Sequence, residues 1–130
     1  MKRSILDNLS DDLAPLARAV AIQKEAARVG FDWPDTFGII AKIEEETREL
    51  REACERGEKS EMREEIGDLL LVLVNVARAE GLDPEACLRE ACSKFEHRFR
   101  SLEADLASQG KQFSTQSLDD LEALWEKAKR

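Results

Sequence analysis

Residues 61–80 read EMREEIGDLLLVLVNVARAE, an acidic half that passes directly into a run of aliphatic side chains. On a helix with about 3.6 residues per turn, Glu65, Asp68 and Asn75 share one face. From Leu69 onward the remaining faces are almost entirely apolar. We therefore expect a helix that is buried along its second half. Its one polar face should meet another polar group, because buried carboxylates without partners are costly.

A second acidic run, KIEEETREL, lies upstream at residues 42–50. On a helical wheel, the predicted core stripe of this segment runs through Ile40, Ile43, Thr47, Leu50 and Cys54. Glu46 and Glu49 fall together with Lys42 on one shoulder of the stripe, whereas Glu45 points further toward solvent. The spacing therefore favours Glu46 and Glu49 as the acidic pair that reaches inward.

Only the short connection 57–60 separates the two acidic helices, so we expect them to pack antiparallel. The pair on the first helix then faces the pair on the second, Glu65 and Asp68. Carboxylates brought this close raise each other's pKa unless a cation lies among them. Four carboxylates around a gap suit one or two Mg²⁺ ions, with Mn²⁺ as a substitute, because hard cations prefer oxygen ligands.

Two other interpretations of the acids compete with a magnesium site. Acidic runs in a highly charged chain usually form a solvated face, but two runs on adjacent helices, each beside an apolar stripe, weaken that interpretation. A di-iron carboxylate bundle uses Glu-x-x-His pairs. The chain has a single histidine, His97, and Lys94 stands three residues before it. The di-iron interpretation is therefore excluded.

Helical periodicity runs along almost the whole chain, and convincing strand alternation occurs nowhere. Cap and breaker residues predict helices at about residues 10–29, 36–56, 61–80 and 84–108, and a short last helix that begins at Ser117 after a hinge at 109–116. We predict an all-α fold, an antiparallel bundle of about four main helices plus a short C-terminal helix. One domain is expected to span residues 1–130.

The composition limits the classes of partner. The 130 residues are 42% hydrophobic and 37% charged, with a formal net charge of -8. Without a basic stripe a nucleic-acid partner is not expected, although metal ions can mediate the binding of an anionic small molecule. The apolar run 69–77 is too short to cross a bilayer, and no sustained apolar region follows the N-terminal MKR. We expect a cytoplasmic protein with no membrane partner, and reduced, buried thiols at Cys54, Cys87 and Cys92.

Basic residues follow on the predicted fourth helix, where Lys94 and Arg98 are spaced i, i+4. They either neutralise phosphates or pair with Glu90 or Glu96, and the spacing does not choose between these roles.

The two tryptophans have a similar ambiguity. Trp125 either packs onto the bundle or offers a platform on which a base stacks. Trp33 has the same two options, with packing favoured.

Taken in order, these segments resemble the MazG nucleoside triphosphate pyrophosphohydrolases, and the resemblance covers nearly the whole chain. Residues 42–50 look like the E-E-x-x-E element of that family, and residues 65–68 look like its E-x-x-D element. Residues 94–99, KFEHRF, are similar to its K-F-x-x-R-F segment. Residues 124–126 resemble its C-terminal tryptophan, and residues 27–33 resemble its lead-in.

The resemblance implies a Mg²⁺-dependent hydrolase that cleaves between the α- and β-phosphates of NTPs or dNTPs, releasing NMP and pyrophosphate. Its metal ligands would be Glu46, Glu49, Glu65 and Asp68. Nucleotide contacts would come from Lys42, Lys94 and Arg98 at the phosphates, from Glu61, Glu64 or Asn75 nearby, and from Trp125 against the base. Glu45 is a candidate to accept the proton of the attacking water, a role that the sequence does not assign.

The resemblance also bears on assembly and on alternative functions. Members of the family assemble as dimers or larger, and the apolar surface of the third helix fits a homodimer or higher oligomer. The longer bacterial form carries two such domains in tandem, so we expect this chain to be a single-domain form. A phosphoribosyl-ATP or dUTP/dCTP-type pyrophosphatase of the same superfamily would use the same metals. A non-catalytic helical interaction module would keep the acids as a surface.

Overall fold

A computed structural model describes residues 3–129, and every regular element in that range is helical. The α-helices, in chain order, are α1 (Pro15–Arg28), α2 (Thr36–Arg56), α3 (Lys59–Ala79), α4 (Pro84–Ser108) and α5 (Leu118–Ala128). Short 3-10 helices at Ile5–Asn8 and Phe113–Thr115 precede α1 and α5. The prediction of an all-α fold with four main helices and a short C-terminal helix is confirmed.

Two helices begin at other residues than predicted. The helix expected from Ser10 begins instead at Pro15, and the residue before that proline is extended with a ψ of 154°. Proline restricts the preceding residue to extended backbone, and proline itself is favoured in the first turn of a helix. α3 begins at Lys59, two residues before the predicted start. Gly57 ends α2 in the left-handed region with a φ of 70°, as its position predicts.

The chain divides into two compact units after Glu85. In the first unit, α2 and α3 pack along each other as an antiparallel hairpin closed by the short connection after α2, and α1 packs against α3. The buried apolar side chains of these helices are Ile39, Ala53, Val74 and Ala77. The single domain over residues 1–130 stays a prediction.

The buried stripe of α2 runs through Ile39, Glu46 and Ala53, which are seven residues apart. The stripe predicted from the wheel is therefore wrong by about 80° of rotation, at about 100° per residue. Its members Ile40 and Cys54 are exposed. A stripe drawn through the aliphatic side chains of this segment leaves Glu46 at its edge. In the structure a glutamate occupies the middle of the packed face.

The expected burial of the second half of α3 holds on one side only. Val74 and Ala77 are buried, but Leu70, Leu71 and Leu73 keep 44–58% of their surface exposed. The physical reason is the geometry of the first unit, in which α1 and α2 cover only part of the surface of α3. The prediction of a fully buried helix is therefore wrong for the single chain.

The loop between α1 and α2 is tied to the end of α3 by an ion pair. Arg78 Nη2 donates to Asp32 Oδ1 at 2.5 Å and Arg78 Nη1 donates to Asp32 Oδ2 at 3.2 Å. The side chain of Thr36 also donates to Glu80, the residue that follows α3. Asp35 caps the start of α2 by accepting a hydrogen bond from the N–H of Gly38 at 2.9 Å. These contacts fix the loop and the first turn of α2 relative to α3.

The second unit is built on α4 and α5. Leu102 and Leu106 of α4 are buried, and aromatic rings join the helices: Phe95 lies 5.0 Å from Trp125 between ring centroids, and Phe99 lies 5.3 Å from Phe113. Ser117 accepts a hydrogen bond from the N–H of Asp120, the N-cap predicted for α5.

The three cysteines, Cys54, Cys87 and Cys92, are free, as expected. All three are exposed in the chain, so their predicted burial is wrong. Among the described residues, no helix combines the length and the apolar character that a membrane crossing requires.

The Asp32–Arg78 ion pair makes stability depend on pH. The hydrogen bond from Arg78 lowers the pKa of the Asp32 carboxyl below its ordinary value. A carboxyl with a lowered folded-state pKa contributes stability above its unfolded value near ~3.9, and that contribution is lost as the pH falls through the folded value. We expect Asp32→Asn to lower the free energy of unfolding by about 1 kcal/mol at pH 7. Urea denaturation of both proteins at pH 7 and in acid measures this difference.

The matched control is Asp11→Asn, which removes an exposed carboxylate of the same type. It should leave the unfolding free energy within about 0.5 kcal/mol of wild type. If the Asp32→Asn difference were as large in acid as at pH 7, an ionised Asp32 would not be its cause.

Candidate metal centre

The acids predicted to reach inward meet at the contact between α2 and α3. One group of carboxylates comprises Glu45, Glu46 and Glu49, and a second comprises Glu46, Glu65 and Asp68. Within each group, one oxygen from every side chain lies within 4.8 Å of the others. Glu46 belongs to both groups. The two helices therefore bring five acids together around one shared carboxylate.

The shared carboxylate is the most buried of the five. Glu46 is only 5% exposed, whereas Glu45 and Asp68 are exposed and Glu49 and Glu65 are intermediate. This gradient follows from the seven-residue stripe of α2, which carries Glu46 at its centre and leaves the flanking acids at the rim. The predicted order, with Glu46 and Glu49 inside and Glu45 outside, is confirmed.

Two oxygens at this contact are buried without a hydrogen-bond partner, Glu46 Oε2 and Glu65 Oε2. The other oxygen of Glu46 is 3.1 Å from Lys42 Nζ, which also lies 3.3 Å from Glu45 Oε2. A buried acceptor without a donor costs about 1–3 kcal/mol, more for a charged group. An oxygen-coordinated cation would satisfy both orphaned oxygens at once, so the residues present fit a Mg²⁺ ion.

The two central carboxyls have opposite pKa shifts. The Glu46–Glu65 contact is the largest cause of both: it raises the pKa of Glu65 to about 7 and lowers the pKa of Glu46. Desolvation and the charge of Glu49 raise the Glu65 value further, and Lys42 lowers the Glu46 value. Of the two carboxyls, Glu65 is therefore the one that takes up a proton first as the pH falls toward neutral. A divalent cation would take the place of that proton between the two side chains.

Three other residues predicted to approach the nucleotide lie along α3. Glu61 is ion-paired with Arg56 at the turn between α2 and α3. Glu61 and Glu64 line a shallow groove of about 300 Å³, together with Glu49 and Glu65 of the acidic groups. Asn75 lies further along α3, where its Oδ1 accepts a hydrogen bond from Arg78 at 2.9 Å.

The remaining predicted contacts, Lys94, Arg98 and Trp125, belong to the second unit. Among the described residues, neither basic side chain forms an ion pair, so the predicted alternative of pairing with Glu90 or Glu96 is not observed. Trp125 packs against Phe95 with its ring tilted by 51°, which fits the packing role considered for it. Their contacts with nucleotide stay predictions.

Sequence reasoning assigned no role to two polar residues of the first unit. Gln23 is 9% exposed and its Nε2 donates to the carbonyl of Leu71 at 2.8 Å, and Arg78 holds Asp32 and Asn75. Each is a polar residue within an apolar stretch of the sequence. Gln23 ends the run AVAIQ, and Arg78 lies near the end of the apolar half of α3. Their partners come from other helices or loops, so the wheel of one helix does not show them.

Comparison with known families identifies the family of the chain. The family model of the MazG nucleotide pyrophosphohydrolase domain matches residues 35–102, more than half of the chain. This chain belongs to the MazG family. The matched range holds the five acids at the α2–α3 contact together with Lys42, Lys94 and Arg98, whereas Trp125 lies beyond it.

Individual MazG relatives support the same assignment. The chain is 40% identical over 128 residues to the nucleoside triphosphate pyrophosphohydrolase/pyrophosphatase MazG of Thermotoga maritima, covering 98% of this chain and 49% of that protein. It is 37% identical over 131 residues to the nucleoside triphosphate pyrophosphohydrolase of Escherichia coli K12, covering 99% of this chain and 50% of that protein. The chain therefore spans about half the length of these curated MazG relatives.

A shorter match is to the uncharacterized protein YabN of Bacillus subtilis. It is 39% identical over 68 residues, which cover 52% of this chain and 14% of that protein.

Glu65→Gln tests whether the acids at the α2–α3 contact bind a metal ion. Glu65→Gln keeps an N–H that can donate to Glu46 but removes a charged ligand, so the fold should persist while Mg²⁺ affinity falls at least about tenfold. Calorimetric titration with Mg²⁺ measures the affinity, and the rise in melting temperature with added Mg²⁺ provides a second readout.

Glu44→Gln is the matched control, since Glu44 is exposed and belongs to neither carboxylate group. It should bind Mg²⁺ as wild type does. Unchanged affinity in Glu65→Gln would remove Glu65 from the ligand set.

Proposed function

We propose that this chain is a Mg²⁺-dependent nucleoside triphosphate pyrophosphohydrolase that converts an NTP or dNTP to NMP and pyrophosphate. The observation that carries the proposal is the buried carboxylate of Glu46, which belongs to both acidic groups and, like that of Glu65, has a buried oxygen without a hydrogen-bond partner. Membership of the MazG family supports the reaction class. The names of the Thermotoga and Escherichia relatives support a nucleoside triphosphate as the substrate.

In this proposal four side chains hold the metal: Glu46, Glu49, Glu65 and Asp68. Bound Mg²⁺ would orient and acidify a water and offset the charge of the triphosphate. Glu46 enters the site already ionised, because its pKa is lowered. Glu65 gives up its proton when the metal binds, since a carboxyl ligand must be deprotonated.

The reaction is an attack by water on the α-phosphorus. The new P–O bond forms as the bond between that phosphorus and the oxygen bridging to the β-phosphate breaks, and pyrophosphate leaves. Glu45 is the proposed acceptor of the water's proton. It is exposed, lies within 4.8 Å of Glu46 and Glu49, and is oriented by Lys42. An acid at the rim of the metal site can reach the water and return the proton to solvent.

Basic residues would then neutralise the rest of the triphosphate. Lys42 already lies beside the acids, and its ammonium can turn from Glu45 toward a phosphate. Lys94 and Arg98 are proposed as further phosphate contacts, on the resemblance of residues 94–99 to the K-F-x-x-R-F segment and on their freedom from ion pairs among the described residues. On the resemblance to the family, Trp125 is proposed to lie against the base of the nucleotide.

We further propose that the protein assembles as a homodimer or higher oligomer through α3. Ile66, Leu70 and Leu73 are spaced i, i+4, i+7 on one face of that helix and are each about half exposed. A contiguous apolar face of this kind marks an interaction surface. A second copy of the same helix would offer an equally apolar face.

A substrate panel tests the reaction. Purified protein with Mg²⁺ should release pyrophosphate, and no orthophosphate, from at least one member of the full set of NTPs and dNTPs. Glu49→Gln should lower this turnover at least about 100-fold without unfolding the protein, because it removes a metal ligand. Glu44→Gln, in the same acidic run but outside the site, should stay within about twofold of wild type.

If no nucleotide releases pyrophosphate and the protein binds no Mg²⁺, the proposed enzymatic activity is contradicted. The remaining interpretation is then a non-catalytic helical interaction module. Release of pyrophosphate from phosphoribosyl-ATP alone, or from dUTP or dCTP alone, would indicate the substrate specificity of another pyrophosphatase in the same superfamily. Full activity in Glu49→Gln would exclude Glu49 as a ligand.

Leu70→Glu tests the assembly. Leu70 is 58% exposed in the single chain, so the substitution should leave the fold of the chain intact but place a charge in the proposed interface. Sedimentation equilibrium should show an oligomer for wild type and a smaller species for the variant. Leu118→Glu, at an exposed leucine at the start of α5, is the control and should sediment as wild type. A monomeric wild type would contradict the proposal.

A further inference from the structure

Lys42 supplies the acids of the metal centre with a positive charge from the chain itself. It lies on α2 one turn before Glu46, and its Nζ is 3.1 Å from Glu46 Oε1 and 3.3 Å from Glu45 Oε2. These two acids, together with Glu49, make up one of the two carboxylate groups. Among the residues that the structure describes, no other basic side chain forms an ion pair with an acid of either group. The lysine is therefore the internal counter-ion of this cluster.

The ammonium of Lys42 compensates only part of the cluster. It contacts one oxygen of Glu46, whereas Glu46 Oε2 and Glu65 Oε2 are buried without a hydrogen-bond partner. A lysine carries one charge and has three N–H donors, whereas Mg²⁺ carries two charges and binds six oxygens, some of them from water. The acids that hold Lys42 are therefore better matched to a divalent cation than to the ammonium.

A divalent cation and the ammonium would compete for the same carboxylate. A cation bound at Glu46 Oε2 would share that carboxylate with Lys42, and like charges this close repel even in water and more strongly at a half-buried site. Lys42 is able to move away, because 35% of its side chain is exposed and its stem is flexible. Its second partner, Glu45, is exposed as well. Movement of the ammonium toward solvent therefore disturbs little packing.

We propose that Lys42 exchanges partners when a divalent cation binds: its ammonium leaves Glu46 and Glu45 and contacts a phosphate of the nucleotide instead. The inference rests on the proposed function for both ligands, the metal and the triphosphate. It gives one side chain two successive roles, first counter-ion of the acids and then phosphate contact. The exchange also uncovers Glu45, the proposed acceptor of the water's proton. Metal and nucleotide binding are thereby coupled through Lys42, and each raises the affinity for the other.

A lysine that only positioned the acids would behave differently. Such a residue supports the ligands, so its removal would weaken metal binding. Removal of a competing counter-ion has the opposite effect, because it leaves the buried Glu46 without compensation and takes away a charge that repels the metal. The two roles therefore predict opposite changes in metal affinity.

The first experiment measures Mg²⁺ affinity by calorimetry in the absence of nucleotide. Lys42→Met keeps an unbranched apolar stem and removes the charge, and it should bind Mg²⁺ about tenfold more tightly than wild type. In EDTA the variant should melt at a lower temperature than wild type, and added Mg²⁺ should raise its melting temperature by more. Lys42→Gln, which replaces the charge with a neutral donor, provides the same comparison if Lys42→Met does not fold.

Two variants control for the charge. Lys42→Arg keeps the positive charge and should bind Mg²⁺ within about threefold of wild type. Arg48→Met removes an exposed cation from the same helix and should leave the affinity within about twofold. Equal or weaker Mg²⁺ binding by the two neutral variants of Lys42 would overturn the inference, as would a wild type that binds no Mg²⁺.

The second experiment follows the Lys42 side chain by NMR. In protein labelled with ¹³C,¹⁵N-lysine, the Cε and Nζ signals of Lys42 are identified by their loss in Lys42→Arg. Saturating Mg²⁺ should shift these signals toward the values of a solvated lysine. Inorganic tripolyphosphate, the phosphate chain of the substrate without its nucleoside, should then shift them again. Signals that Mg²⁺ leaves unchanged would overturn the exchange, and signals that do not respond to tripolyphosphate would overturn its second step.

The substrate panel separates this inference from the proposed function. If no nucleotide is hydrolysed but Lys42→Met binds Mg²⁺ more tightly and the Lys42 signals respond to both additions, the proposed reaction fails while the exchange stands. If nucleotides are hydrolysed but Lys42→Met binds Mg²⁺ no more tightly than wild type, the exchange fails while the reaction stands.

Discussion

The burial of one carboxylate, that of Glu46, is the constraint on which the rest of the site depends. A charged side chain at the centre of a packed helix face must be compensated, and the neighbouring acids add to its negative charge instead of offsetting it. Lys42 Nζ lies 3.1 Å from one of its oxygens, and the contact with Glu46 raises the pKa of Glu65 to about 7. In the proposed function, a divalent cation among these acids would supply the remaining positive charge.

The same packing explains the division of roles between the helices. α2 contributes its acids within a single turn, and α3 contributes Glu65 and Asp68 from the acidic half before its aliphatic run begins. Each helix is therefore polar where the acids of the two helices meet, and more apolar along the rest of its packed face. The aliphatic half of α3 packs against α1 and α2 on one side and leaves Leu70 and its neighbours exposed on another. One helix thus connects the proposed metal site and the proposed assembly surface.

Much of this arrangement could be predicted from the sequence, because helical spacing fixes which side chains share a face. The all-α fold and the inward position of Glu46 and Glu49 follow from that geometry alone. The rotation of the α2 stripe could not, since a wheel weighted by aliphatic residues cannot anticipate a glutamate at the centre of a contact. Gln23 and Arg78 could not be found either, because their partners Leu71 and Asp32 are 48 and 46 residues away along the chain. Periodicity within one helix carries no information on contacts of that range.

The short connection after Gly57 has a consequence for how the molecule forms. All of the acids at the α2–α3 contact come from residues 45–68, one hairpin with a tight turn. The entropy lost on closing a loop grows with its length, and contacts close in sequence form faster than distant ones. The acidic cluster can therefore be complete before α1 has docked and before α4 and α5 have folded. The contact between α1 and α3, which joins residues far apart in the sequence, is assembled later. Folding would thus complete the ligand set proposed for the metal before the rest of the first unit has packed around it.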